Sequence, residues 1–171
     1  MIRKKHVGQF LSFKFTDKKA PLEGVVIDYN DNWTLMKECT HDYMMDGFVI
    51  FKHKNIQGYR RAEGEKFTEK IIKLKGQMPI EEDAVPLDDL ETILHYLTKV
   101  HKVFSFELKS EKAIYLGRLL SIDKKQLAID FLDTRAKWIG KRVFRPGDVR
   151  QINFDTDYIN SLKLVAKNKR P

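Results

Sequence analysis

The sequence FSFEL at residues 104–108 alternates apolar and polar side chains, as a β-strand with one buried face does. The segment LSF at residues 11–13 matches its start 93 positions earlier. The same offset relates Gly24 to Gly117, and GFVIF at residues 47–51 to GKRVF at residues 140–144. Because several matches keep one spacing, the chain is interpreted as a duplicated unit of about 70 residues, a size at which a small domain can fold.

Composition restricts the class of protein. Charged residues make up 33% of the 171 residues and hydrophobic ones 42%, with nine glycines, five prolines and one cysteine. This predicts one or two soluble globular domains, not a collagen-like, disordered or disulfide-rich chain. No segment approaches the roughly 18 to 20 uncharged residues of a membrane span, so no membrane association is predicted. A basic start without a following apolar run predicts no secretory signal and a cytoplasmic location.

An acidic connector separates the two units. Residues 77–91 contain six acidic side chains, no basic one and two prolines. Apolar residues then follow at helical spacing. Asp88 and Asp89 at the start and Lys99 at the end suit the dipole of a helix, which is predicted over residues 87–100.

In the second unit the period changes to two, and turn signals separate five short stretches. The predicted strands cover residues 103–108, 113–122, 126–132, 142–145 and 149–154. The first unit repeats this order, with a tight turn at residues 29–32. Five short antiparallel strands must curl to bury a core, which favours a closed SH3-like or OB-like barrel over an open sheet. Gly24 and Gly117 are the predicted bend points.

Three further local features bear on the fold. The segment DTD at residues 155–157 is interpreted as the cap of a helix over residues 158–165. Trp33 is expected in the turn of the first unit, and Trp138 in the loop before the fourth strand of the second. An exposed indole at either place would mark a binding surface.

A preceding helix, five strands, a bend glycine in the second strand and a turn before the fifth resemble the Sm-like fold of the Sm, LSm and Hfq proteins. GVVIDYNDNWTL at residues 24–35 resembles the first Sm motif, and VFRPGDV at residues 143–149 resembles the second, with a proline between Arg and Gly. FKH at residues 51–53 resembles the Tyr-Lys-His of bacterial Hfq. The resemblance covers most of both units, and it implies RNA contacts at Lys52 and His53.

The sequence departs from the family at one position in each unit. The family's uridine-binding asparagine would fall at Thr34 and at Leu127. Neither side chain presents an amide to a base, so the resemblance implies an altered RNA pocket in both units.

Basic residues carry the main functional prediction. Residues 1–80 hold fifteen Lys and Arg against ten Asp and Glu, and residues 92–171 hold seventeen against eight. This excess favours binding to RNA or single-stranded nucleic acid, with interleaved aromatic side chains for stacking. The predicted phosphate contacts are Lys52, His53, Lys54, Arg60, Arg61, Arg142, Arg145 and Arg150. The alternative is a solvated basic face on a regulatory adaptor, which docks a protein partner through a strand edge or an exposed aromatic patch.

The sequence predicts no catalytic or metal site. Cys39, His41, Asp42, Asp46 and His53 include a single Cys-x-His spacing, which is a weak metal pattern and is interpreted as a polar loop. No glycine-rich phosphate loop and no Ser-His-Asp order occurs. A non-catalytic protein without a cofactor is therefore expected.

Together these patterns predict a mainly β protein of two tandem five-stranded Sm-like or SH3-like barrels joined by an α-helix. The predicted parts are a first unit at residues 1–78, an acidic linker and helix at 79–101, and a second unit with a C-terminal helix at 102–171. Because Sm-like units associate through strand edges, a homo-oligomer is a further expectation.

Overall fold

The structure, a computed structural model, describes residues 3–109 and 113–168. Within these residues it contains ten antiparallel β-strands and three α-helices, so the protein is mainly β. The chain divides into two compact units, Met1–Val85 and Pro86–Pro171.

Unit 1 consists of five strands followed by a helix. Its elements are β1 (Phe10–Phe15), β2 (Leu22–Tyr29), β3 (Trp33–His41), β4 (Met44–Lys52), β5 (Ile56–Arg60) and α1 (Glu63–Leu74). Neighbouring strands are antiparallel, in the order β5-β1-β2-β3-β4. A short 3-10 turn at Lys4–His6 precedes β1.

Unit 2 repeats this arrangement, but an α-helix instead of a short 3-10 turn precedes its first strand. Its elements are α2 (Leu90–Val100), β6 (Phe104–Leu108), β7 (Ile114–Ile122), β8 (Leu127–Leu132), β9 (Trp138–Phe144), β10 (Val149–Phe154) and α3 (Asp157–Asn168). The strand order is β10-β6-β7-β8-β9. The helix predicted before this unit is confirmed as α2, and the Asp89 carboxylate caps it by accepting from the Thr92 N–H at 2.8 Å.

The sheet of each unit is open. Among the described residues, β5 and β4 at the two ends of the unit 1 order are not hydrogen-bonded to each other, nor are β10 and β9 in unit 2. The closed barrels predicted from the sequence are therefore not observed. The helices provide burial that closure would otherwise give, because α1 packs against β1 and α2 against β7.

Gly24 in β2 and Gly117 in β7 lie where any side chain would collide with the neighbouring strand. A Cβ on Gly24 would lie 2.2 Å from the Lys37 carbonyl oxygen, and a Cβ on Gly117 would lie 2.2 Å from that of Asp130. Lys37 and Asp130 are themselves 93 residues apart. The two close backbone contacts therefore repeat with the spacing seen in the sequence.

Two β-bulges recur at the same spacing. The register shifts at Ile27 between β2 and β3, and at Leu120 between β7 and β8. It also shifts at Gln57 between β1 and β5, and at Arg150 between β6 and β10. Because a bulge leaves one residue unpaired and bends its strand, the two sheets bend at matching positions.

Each unit has its own apolar core. The unit 1 cluster consists of Leu11, Phe13, Phe15, Leu22, Val26, Met36, Val49 and Phe51. The unit 2 cluster joins α3 to the sheet and consists of Val103, Leu116, Leu132, Ala136, Ile159 and Ala166. Removal of these side chains from water is the main favourable contribution to folding.

The two tryptophans do not lie in loops as predicted. Trp33 is the first residue of β3 and is 4% exposed. Trp138 is the first residue of β9, which begins four residues before the predicted strand. Alternation of apolar and polar residues does not show where β9 begins. The strand is mostly exposed, so both its charged and its apolar side chains lie in solvent.

Candidate nucleic-acid interface

Lys52 and His53, which the Sm-like resemblance implies, are the last residue of β4 and the first residue of the loop that follows it. Residues 30–32 connect β2 to β3, and residues 53–55 connect β4 to β5. The Asn30 side-chain oxygen closes the first loop by accepting from the backbone N–H groups of Asn32 and Trp33, each at 2.8 Å. Asparagine is favoured in turns because its side chain bonds the backbone in this way.

His53 ties the second loop to the first. Its Nδ1 lies 3.0 Å from the Asp31 carbonyl oxygen, and its Nε2 lies 2.8 Å from the Thr34 hydroxyl. Because a carbonyl oxygen only accepts, Nδ1 carries the proton and Nε2 accepts from Thr34. Burial lowers the pKa of His53, although its hydrogen bonds to the backbone act in the opposite direction. The imidazole is therefore neutral at pH 7, and it orders the loops instead of supplying a positive charge.

Acid is expected to destabilise unit 1 through His53. An unfolded chain binds a proton near the ordinary histidine pKa of 6.5, whereas folded His53 binds it only at lower pH. The free energy of unfolding should therefore fall as pH decreases through 6.5 and should level off below the folded-state pKa. Urea unfolding followed by tryptophan fluorescence at several pH values measures this decline.

The matched variants for this prediction are His53→Asn and His95→Asn. In the first, the introduced side-chain amide can still donate to the Asp31 carbonyl but does not titrate, so part of the acid-induced decline should disappear. The remainder includes His6, whose pKa is lowered first by burial and then by neighbouring positive charges. His95 is on α2 with a largely exposed side chain, and its replacement should leave the decline intact. An unchanged decline in His53→Asn would contradict the role of this histidine.

Lys52 and Lys54 flank His53 and differ in their surroundings. The Lys52 ammonium lies 5.1 Å from the centre of the Trp33 ring, within the range of a cation–π interaction. Lys54 is exposed. The loop therefore presents one cation held against an aromatic ring and one that extends into solvent.

A cavity of about 780 Å³ opens beside these two loops. Its volume is within the range of sites that enclose a small molecule. The lining includes Arg3, Tyr29, Asn30, His53, Gln57 and Tyr59. Aromatic rings, a guanidinium and side-chain amides are the groups that stack on unpaired bases and bond their edges.

His6, in the 3-10 turn that precedes β1, orients the Tyr59 side chain. The His6 Nδ1 accepts from the Arg3 backbone N–H at 2.9 Å, so the proton lies on Nε2, which is 3.1 Å from the Tyr59 hydroxyl. The two rings meet edge to face with centroids 4.8 Å apart. The Tyr59 ring, which is 40% exposed, is thereby held at the cavity wall.

Arg60 and Arg61 are bound by carboxylates of α1. The Arg60 Nε lies 2.6 Å from a Glu65 oxygen, and an Arg61 terminal nitrogen lies 2.6 Å from a Glu69 oxygen. Burial raises the pKa of both carboxyls, but the hydrogen bonds they accept outweigh it and leave the pKa below its ordinary value. The Arg60 side chain is 70% exposed and that of Arg61 only 23%, so Arg61 is mainly an internal partner of Glu69.

The three predicted arginines of unit 2 lie in different surroundings. The Arg142 guanidinium is 3.8 Å from the centre of the Phe131 ring, and Arg145 is exposed after β9. Arg150 is only 7% exposed, and burial lowers its pKa. Arg142 and Arg145 are therefore accessible to a ligand, whereas Arg150 is interior.

Unit 2 also contains a counterpart of the Asn30 turn. The Asp123 carboxylate accepts from the backbone N–H groups of Lys125 at 2.7 Å and Gln126 at 2.8 Å. This turn exposes the side chains of Lys124 and Lys125. Two cations that the sequence analysis did not select are thus presented at the place equivalent to the first loop of unit 1.

Several cavity residues have no local sequence signal. Arg3, Tyr29 and Gln57 come from three separate segments, and only the fold brings them together. Thr34 and Leu127, where the family's asparagine would fall, are both fully buried. Any base contact in unit 1 would therefore use the cavity residues instead.

The possible metal ligands named from the sequence lie in β3, in β4 and in the turns that follow these strands. Cys39 is buried, and its thiol donates to the Asp42 carbonyl oxygen at 3.1 Å. Burial raises the pKa of this thiol. Within residues 3–109 and 113–168, no three metal-binding side chains come together.

Fold and site together define the class as a mainly β protein of two similar five-stranded units, the first with a cavity beside its loops that is lined by aromatic and polar side chains. Comparisons of the chain with protein-family models, curated proteins and solved structures find no match. No helix among the described residues is long and apolar enough to cross a membrane.

Proposed function

We propose that the protein is a non-catalytic binding protein for RNA or single-stranded nucleic acid, built from two Sm-like units. The cavity of unit 1 carries the proposal, because Tyr29 and Tyr59 line it together with Arg3 and with His53, which Lys52 and Lys54 flank in the chain. Stacking surfaces beside a positive rim are what single-stranded binding requires.

The Sm-like part of the proposal rests on four shared features. Unit 2 has a preceding helix, five strands, a close-packed glycine at Gly117 in its second strand and a turn at Pro146–Asp148 before its fifth. Unit 1 has the same features except that a 3-10 turn at Lys4–His6 replaces the helix. The matching bulges bend both sheets, as a barrel-like fold requires.

In this proposal a base enters the unit 1 cavity and stacks on Tyr59 or Tyr29, while Gln57 bonds its edge. The phosphates on either side of the base contact the exposed cations of the loops. In unit 2 the loop cations Lys124, Lys125 and Arg145 hold a further stretch of backbone without a base pocket. Affinity would then come mainly from phosphate charge, with limited selectivity among bases.

Binding should be tight at low salt and should weaken steeply as salt is raised. Each phosphate contact on a single strand contributes about −0.7 to the slope of log affinity against log salt, so three contacts predict a loss of about tenfold or more between about 50 and 200 mM. Fluorescence anisotropy of a labelled single-stranded RNA with the full chain measures both affinities. Absence of binding at low salt by a folded sample would contradict the proposal.

Two double variants locate the contacts. Lys54→Glu with Arg145→Glu removes one exposed loop cation from each unit and should weaken binding at least about fivefold. Lys70→Glu with Lys99→Glu makes the same change in net charge on α1 and α2 and should have a much smaller effect. Equal losses in both would show that net charge, and not the loops, determines binding.

A protein-interaction adaptor is the second candidate, and β9 favours it. This strand lies at the end of the unit 2 strand order and pairs with β8. Its Ile139 and Val143 side chains are 54% and 48% exposed. An exposed edge with apolar side chains can accept a strand from a partner or from a second copy. Concentration-dependent oligomers that are lost in Ile139→Lys, without salt-sensitive RNA binding, would favour this candidate.

A further inference from the structure

The C-terminal helices of the two units occupy equivalent positions. Helices α1 and α3 begin and end 94 residues apart, and two of the three buried positions of α1 have buried counterparts in α3 at this spacing. Glu65 corresponds to Ile159, and Ile72 corresponds to Ala166. The space between helix and sheet can therefore be compared residue by residue.

In unit 1 this space is filled by apolar side chains. Phe10, Val25, Cys39 and Ile72 form a buried cluster, and Met45 and Met78 pack against it. Ile72 and Val25 are both fully buried. The helix of unit 1 thus closes on the sheet through a continuous apolar layer.

In unit 2 the same space is a cavity of about 430 Å³. Val103 stands in the position of Phe10, and Ala166 in that of Ile72, so two smaller side chains leave room. Arg118 replaces Val25, and Trp138 replaces Met45. The cavity therefore combines an apolar floor and an indole ring with a positive charge.

A buried carboxylate marks the corresponding place in unit 1. Glu69 is 6% exposed and accepts from the Phe10 backbone N–H at 2.9 Å. It also accepts from Arg61 and from the Lys73 ammonium, each at 2.6 Å. In unit 1 the Glu69 carboxylate is thus the anion that the surrounding hydrogen-bond donors bind.

Unit 2 reverses the charge at that position. Lys163 corresponds to Glu69, and Lys167 corresponds to Lys73, so a cation stands where the anion was. Lys102 and Arg118 also line the cavity, and Asp130 forms an ion pair with Arg118 at 2.8 Å. Four cations against one carboxylate leave a net charge of about +3 around the cavity.

Two of these cations are held in place by neighbouring side chains. The Arg118 guanidinium lies 4.5 Å from the centre of the Trp138 ring, so the cation and the aromatic face are fixed together. The Lys163 ammonium donates one hydrogen bond to the Asn160 side chain at 3.1 Å. An ammonium has three donors, so Lys163 retains donor capacity beyond this bond where it lines the cavity.

We propose that the unit 2 cavity binds a small organic phosphate with a flat apolar body. The phosphate lies among Lys102, Lys163 and Lys167, where it takes the place that the Glu69 carboxylate has in unit 1. A dianionic phosphate suits a net positive charge of this size better than a single carboxylate does. The apolar body occupies the space that Phe10 and Ile72 fill in unit 1, beside Trp138. None of the residues that line this cavity belongs to the loops of the proposed nucleic-acid interface.

Calorimetric titration of the full chain with four probes tests the proposal. The probes are 1-naphthyl phosphate, adenosine 5′-monophosphate, 1-naphthol and inorganic phosphate. At least one of the two phosphate esters should bind at least about tenfold more tightly than naphthol or inorganic phosphate, because only the esters use both halves of the cavity. Binding of the nucleotide alone would indicate a nucleotide ligand, and binding of the naphthyl ester alone would indicate another aromatic phosphate. The bound ester should also change Trp138 fluorescence.

Two variants connect the binding to this cavity. Lys163→Glu restores the unit 1 carboxylate as an internal competitor, and Ala166→Ile restores the unit 1 filling side chain. Each should weaken ester binding about tenfold or more, while Lys70→Glu at an exposed position of α1 should not. Circular dichroism verifies that the variants fold. If Lys163→Glu does not fold, Ala166→Ile alone provides the test. The proposal is overturned if no ester binds, if inorganic phosphate binds equally well, or if the folded variants bind the ester normally.

Discussion

The Gly117→Ala protein is expected to lose about 3 kcal/mol or more of its free energy of unfolding. The added methyl group would lie 2.2 Å from the Asp130 carbonyl oxygen, which belongs to the backbone of β8 and cannot rotate away. Relief would require β7 and β8 to separate near their bulge. Gly24→Ala should have a similar effect in unit 1 through the Lys37 carbonyl. Urea unfolding can be followed in each unit by its single tryptophan, Trp33 or Trp138.

Gly58→Ala is the matched control for these substitutions. Gly58 is also a strand glycine, in β5, but no atom lies within 4 Å of the position its Cβ would take. Its substitution should leave stability nearly unchanged, because only the intrinsic difference between glycine and alanine remains. Comparable losses in Gly58→Ala and Gly117→Ala would show that close strand approach is not the reason for the glycine at position 117.

The sequence predicts the strands well because their constraints are local. Apolar side chains mark the strands, although the intervening Ser12 and Ser105 are buried as well, and the repeated glycines stand where two backbones approach each other. The 93-residue spacing found in the sequence recurs in the register of the strands and in their bulges. Barrel closure was not predictable in this way, because it depends on whether helices or strand ends cover the core.

Helix α1 shows why one element was missed. Its buried positions include Glu65 and Glu69, whereas Phe67 and Leu74 are 55% and 79% exposed. A search for apolar residues at helical spacing therefore selects the wrong face. The buried carboxylates are satisfied by arginines of the preceding segment, a pairing that only the tertiary structure reveals.

The candidate site was predictable only in part for the same reason. Lys54, Arg142 and Arg145 are exposed, so their residue type alone indicates their availability. Arg61 and Arg150 have the same charge but are largely buried, since partners and burial depend on distant segments. A count of basic residues predicts the sign of the surface charge, but it does not identify the side chains that a phosphate can reach.

The Glu69→Gln protein is expected to lose about 3 kcal/mol of its free energy of unfolding, because it leaves partly buried cations without their counter-charge. The Glu69 carboxylate accepts from Arg61, Lys73 and the Phe10 backbone N–H, whereas a glutamine amide offers one acceptor oxygen and two donors. Glutamine and glutamate have similar helix propensities, so the backbone preference of α1 is retained. Urea unfolding at pH 7 measures the loss.

Glu63→Gln is the control, and acid provides a second test of the same ion pairs. Glu63 lies on the same helix, has a similar bond to Lys66 at 2.8 Å and is 92% exposed, so its replacement should have little effect. The pKa of folded Glu69 lies below the ordinary value of 4.5, so an unfolded chain is protonated first as pH falls. Stability contributed by Glu69 is therefore present above pH 4.5 and is lost below it, and Glu69→Gln should show a smaller acid-induced decline. The contrary result is that both variants have the same free energy of unfolding and the same decline in acid. The buried carboxylate would then not attach α1 to β1, and the apolar layer around Ile72 alone would account for that attachment.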